Sequence, residues 1–71
     1  MKIRLLNDGG FSELWRVKFP IEVEGTEWAG CGFDVHESEF QKLGYGEVKN
    51  NDDDNGLFYF SLVGGECEVV E

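Results

Sequence analysis

The chain has 71 residues, enough for one domain over residues 1–71 and too few for a cleft between two lobes. Apolar residues make up 41% and aromatics 14%, which excludes a disordered chain. Fifteen acidic against six basic groups leave a net charge of −9, a balance that repels nucleic-acid phosphates and anionic membranes and attracts basic surfaces.

Residues 2–6 alternate, with Ile3 and Leu5 on one side, and predict a first strand. Asn7, Asp8, Gly9 and Gly10 break it. Trp15, Val17, Phe19, Ile21 and Val23 then fall on odd positions against Arg16, Lys18, Glu22 and Glu24 on even ones. Period two over nine residues predicts an extended segment with one buried face. Pro20 cannot donate to a ladder, so the segment is an edge strand or two strands meeting at a bend. Gly25-Thr26 reads as a turn. Cys31, Phe33 and Val35 predict a third short strand, with Gly30 and Gly32 marking a bulge or a close backbone approach.

Asp34 and Ser38 are each followed three residues later by Glu37 or Gln41, so either can open a capping box. The helix they predict is about two turns long, with His36, Phe40 and Leu43 on one face and Gly44 as terminator. Residues 44–56 form a long polar loop. Residues 57–63 are apolar on both sides except at Ser61, which predicts a central strand covered on both faces. Gly64-Gly65 is a turn signal. Residues 66–71 form a last strand, with Cys67 and Val69 inward. The fold class is α+β and mainly β: a small twisted antiparallel sheet or open barrel of four to five strands with one short helix.

Nothing in the chain carries a complete catalytic or metal pattern. Aligning Gly56 with the glycine of an EF-hand loop puts Asn51, Asp53 and Asn55 at ligand positions, but Leu62 stands where a bidentate glutamate is needed. A solvated turn is the expectation. Cys31, Asp34 and His36 do not make a nucleophile–base set without an oxyanion site, and a lone histidine on a helix is ordinarily packed. Cys31, His36 and Cys67 lack the paired cysteine spacing of a structural zinc site. No stretch resembles a secretory signal or a membrane span, so free thiols in a cytoplasmic protein are expected. Gly30-x-Gly32 and Gly44-x-Gly46 lack the rest of a phosphate-binding loop. No enzyme activity, metal or cofactor is expected.

What remains is charge and exposed aromatics. Residues 1–20 hold four basic and two acidic groups, and residues 21–71 hold two basic and thirteen acidic ones. The acidic candidates for partner binding are Glu22, Glu24, Glu27, Glu37, Glu39, Asp52, Asp53 and Asp54, with Glu66 and Glu68 beside them. Trp28 and Tyr45 lie in Gly-flanked stretches and are the candidate aromatic anchors. The expected function is a binding module that occupies a basic, nucleic-acid-binding surface of a partner protein and inhibits it, without touching nucleic acid or membrane itself. Small size and strong negative charge are similar to those of the inhibitors phages use against host defence enzymes, a likeness of class and composition only. The competing expectation is an assembly module, a homodimer or larger complex paired through the edge at residues 15–23.

Overall fold

The computed structural model describes residues 1–70. It contains six strands in two antiparallel sheets of three. In the first, β1 (Lys2–Leu5) lies between β2 (Ile21–Glu24) and β6 (Cys67–Val69). In the second, β4 (Gly32–His36) lies between β3 (Thr26–Trp28) and β5 (Leu57–Ser61). One helix, α1 (Glu37–Lys42), and a 3-10 turn (Ser12–Leu14) complete an α+β, mainly β architecture, the class the patterning implies.

Each sheet buries one face, because side chains alternate along a strand. Ile3, Leu5, Val23 and Cys67 come inward from the first sheet, and Phe33, Val35, Phe58 and Phe60 from the second. Leu14, Val17, Phe40 and Val48 close the ends of this single core. Phe58 meets Phe11 at 5.0 Å and Phe40 at 5.4 Å between ring centroids, both edge-to-face, the arrangement that aligns ring edge with ring quadrupole.

Gly25 is the corner between the sheets. The chain passes from β2 in one sheet to β3 in the other, and a Cβ here would stand 2.9 Å from Ile3 Cδ1 and 3.2 Å from Phe33 Cβ. Bends of this kind let one run of chain serve two packed sheets. The second corner follows β5, where Glu66 N–H donates to Ser61 O at 3.0 Å and Leu6 N–H to Glu66 O at 2.9 Å.

Several expectations are corrected. Residues 15–23 are not one strand. Leu14 and Val17 N–H groups donate to Phe11 O and Leu14 O, which winds the chain into turns, and a strand begins only at Ile21, after a cis Phe19–Pro20 bond. Val17 and Val23 are buried as the period requires, but Trp15 is 72% exposed, with the Arg16 guanidinium 4.8 Å from its ring. Thr26 opens β3 instead of forming a turn. The turn lies at Ala29-Gly30, both with positive φ (53° and 71°), closed by Cys31 N–H to Trp28 O at 3.2 Å. β5 is an edge strand ending at Ser61, and the central strand is β4, so the apolar residues of β5 are not covered on both sides. β5 and β6 belong to different sheets and form no hairpin. Cys67 is inward, but Val69 is exposed. The helix is capped by His36 Nδ1, which accepts Ser38 N–H at 3.1 Å, and not by Asp34 or Ser38. Of its expected inner face only Phe40 is buried. Of residues 66–71, Glu71 lies outside the described residues.

Candidate binding surface

The outer face of the second sheet is open. Register puts Thr26, Asp34 and Tyr59 in one cross-strand row, and Trp28, Gly32 and Ser61 in the next. Gly32 has no side chain, and this decides the geometry. A Cβ there would collide with the Tyr59 hydroxyl. Without one, the Tyr59 ring reaches across β4 to meet Trp28 edge-to-face, with centroids 6.0 Å apart and planes at 81°. The register resumes at Trp28 opposite Gly32, which leaves Cys31 as one extra residue, a bulge. Its Sγ accepts the Tyr59 O–H at 3.3 Å, and its thiol donates to Trp28 O at 3.6 Å. The hydrogen bond to Cys31, followed by burial, pushes the Tyr59 phenol up to about 12.

Trp28, Asp34 and Tyr59 line a hollow of about 390 Å³. Trp28 is 57% exposed. Asp34 is half-buried, and its carboxylate has neither an ion-pair nor a hydrogen-bond partner among the described residues. A second hollow of about 270 Å³ shares Asp34 and continues to Glu24, Thr26, His36, Glu39 and Leu57.

The acidic candidates divide by what already holds them. On the outer face of the first sheet, Arg4 bonds Glu68 at 2.6 Å and Glu22 at 3.3 Å, and Lys2 lies 3.9 Å from Glu22. Central-strand cations thus balance the acids of both flanking strands, and the two carboxylate hydrogen bonds hold the Arg4 guanidinium above its usual value. Glu24 lies 3.4 Å from the Met1 ammonium. Glu37 accepts Asn50 N–H at 3.2 Å, Glu39 accepts Glu24 N–H at 3.1 Å, and Glu66 accepts Ser61 N–H at 2.9 Å. Asp53 accepts Leu57 N–H at 3.0 Å and Asn55 N–H at 3.3 Å. Tyr45 packs against the core, and its hydroxyl accepts Lys18 N–H at 3.3 Å. Glu37, Glu39, Asp53, Glu66 and Tyr45 therefore hold loops, helix and sheet in place.

Glu27, Asp52 and Asp54 are exposed, and their carboxylates take no part in such bonds among the described residues. Glu27 lies on β3, and Asp52 and Asp54 lie in the loop that leads into β5 at Leu57. In the register Glu27 stands opposite Phe33, so it alternates with Thr26 and Trp28 and projects past the sheet edge on the other side from them. Asp34 and Tyr59, the two members of the face absent from the sequence-based candidates, become neighbours of Trp28 only through the β3-β4-β5 register.

Cys31 and Cys67 are free thiols with no disulfide between them, and burial pushes the Cys67 thiol up. Among the described residues no group of three His, Cys, Asp or Glu side chains is placed to hold a metal ion. No described helix is long and apolar enough to cross a membrane. No protein-family model, curated protein or solved structure matches the chain.

Proposed function

We propose that this chain is an acidic binding module that presents the outer face of β3-β4-β5 to a basic surface of another protein. The observation that carries the reading is an exposed tryptophan beside an unpaired, half-buried carboxylate on an uncovered sheet face. Aromatic anchors of this kind supply much of the energy of protein interfaces. Exposed Glu27 on the β3 edge and Asp52 and Asp54 in the loop before β5 add negative charge to the same sheet and favour approach of positive charge. In the sharper form of the proposal, the partner's basic surface is one that otherwise takes nucleic acid, and occupying it inhibits the partner in the cytoplasm, where two free thiols stay reduced.

The test is affinity capture with the tagged chain as bait at low and physiological salt, beside Trp28→Ala and Asp52→Lys/Asp54→Lys baits. The expected result is a protein retained by the parent bait, released by salt, and lost from both variants. Displacement of that protein by added duplex DNA would support the inhibitory form. A salt-resistant partner held equally by all three baits overturns the proposal.

A further inference from the structure

We infer that the hollow between Trp28, Asp34 and Tyr59 seats one arginine side chain of the partner protein. The inference rests on the binding-module reading and names what the surface recognises.

The hollow joins two features that suit different parts of one group. Trp28 lines it with an indole, an apolar group with an electron-rich face, and Asp34 lines it with a carboxylate. A neutral aromatic ligand would satisfy the wall and leave Asp34 unpaired in a half-buried site, which costs free energy. A nucleic-acid base would bring phosphates toward Asp34, Glu27 and Glu24. A cation satisfies both features, since it is drawn to an indole face within about 6 Å and to the carboxylate. Among cations the guanidinium fits best. It is planar, stacks on an aromatic face, and offers paired N–H donors matched to the two oxygens of a carboxylate. An ammonium is a compact, strongly hydrated charge that uses the aromatic wall less well. The chain already shows the contact once, in Arg16 lying 4.8 Å over Trp15. Trp28 has no such cation of its own among the described residues.

The walls are held in place from behind. Tyr59 is fixed by Cys31 and by the space above Gly32, and its ring stands nearly perpendicular to that of Trp28. Such a site meets its ligand largely pre-formed, so little ordering cost falls on binding.

The test uses the full chain with Trp15→Phe, which leaves Trp28 as the only indole. Its fluorescence is titrated at physiological salt with three blocked tripeptides, Gly-Arg-Gly, Gly-Lys-Gly and Gly-citrulline-Gly. Citrulline keeps the planar shape of arginine and removes its charge. The expected result is a saturable response to the arginine peptide, a several-fold weaker one to lysine, and none to citrulline. Asp34→Asn should weaken the arginine response roughly tenfold or more, the loss expected for a charge-assisted hydrogen bond. Glu13→Gln removes the same charge from the 3-10 turn and should leave the response unchanged. Equal responses to arginine and citrulline, no saturation, or equal losses from Asp34→Asn and Glu13→Gln would overturn the inference. If the peptides fail while salt-released capture through Trp28 holds, only the arginine seat is lost. If the arginine peptide binds and no protein is captured, the seat stands and the binding-module reading falls.

Discussion

Glu39 shows how a surface acid becomes part of the fold. Its side chain is only 16% exposed, bonded to Lys42 Nζ at 2.8 Å and to the N–H of Glu24 in β2 at 3.1 Å. The Lys42 hydrogen bond first, and the Glu24 N–H with it, hold the Glu39 carboxyl below the usual carboxylate range. A depressed folded-state value means the ionised form favours folding. That contribution is complete above the ordinary value of about 4.3 and is lost as pH falls below it. Glu39→Gln should cost about 1–2 kcal/mol at neutral pH in chemical denaturation. Its deficit against the parent should shrink on acidification. A deficit that stays constant into acid would put the loss in packing instead.

Tyr59 gives the opposite sign. Its proton is held by the bond to Cys31, so ionisation is delayed to about 12. In a Tyr45→Phe background the tyrosinate absorbance reports Tyr59 alone. Its midpoint should lie near 12 in the parent and fall toward the ordinary value of about 10 in Cys31→Ala. An unchanged midpoint would show that the thiol does not hold the phenol.

At the scale of elements, the β3-β4 hairpin carries the least favoured backbone conformation. Ala29 has φ 53° beside Gly30 at 71°. A two-residue turn with both central φ values positive is best made by Asn-Gly. Left-handed alanine costs roughly 1 kcal/mol that asparagine largely avoids. Ala29→Asn should therefore stabilise the chain by about 1 kcal/mol and raise Tm by about 4–8 °C, read by calorimetry.

The free edge of β5 is closed at both ends by side chains. In this ladder Leu57, Tyr59 and Ser61 turn their N–H and C=O groups away from β4. Asp53 and Asn50 take those of Leu57, and Glu66 takes those of Ser61. Covering an edge this way blocks pairing with another chain. Asp53→Ala should open it, and sedimentation should then show concentration-dependent association that the parent lacks.

β1 and β3 mark the two ends of what a sequence can reveal about strands. β1 was legible because Ile3 and Leu5 alternate with charged residues and really do face the core. β3 was not, because all three of its residues are exposed and leave no burial pattern. The odd-numbered apolar residues from Trp15 to Ile21 kept a strand's period while the backbone spent its hydrogen bonds in turns. Trp28 was legible as an aromatic outside the core, although it stands at the end of β3 and not in a loop. Asp34 and Tyr59 were not, since their nearness to Trp28 is a matter of register between strands far apart in sequence.

For the molecule as a whole, pairing is uneven. Lys2 and Arg4 balance the first sheet, while Glu27, Asp34, Asp52 and Asp54 have no ion pair among the described residues. The net charge of −9 thus acts mostly as self-repulsion. Screening should relieve it, and Tm should rise between low and physiological salt as the Debye length falls from about 30 Å to about 8 Å. A flat Tm would mean that the ion pairs lost to screening offset the repulsion relieved.

β1 sits at the centre of its sheet, yet its two neighbours come from distant parts of the chain. Arg4 reaches Glu22 across 18 residues and Glu68 across 64. Closing loops of that length must be completed before the contacts reward it, which places folding of this topology on the slow side, in the millisecond-to-second range. The β3-β4 hairpin needs only the turn at Ala29-Gly30 and can form in microseconds. In time as well as in space, then, the face that carries Trp28 and Asp34 belongs to the early half of the molecule, and the sheet that joins the first strand to the last is the step that locks it.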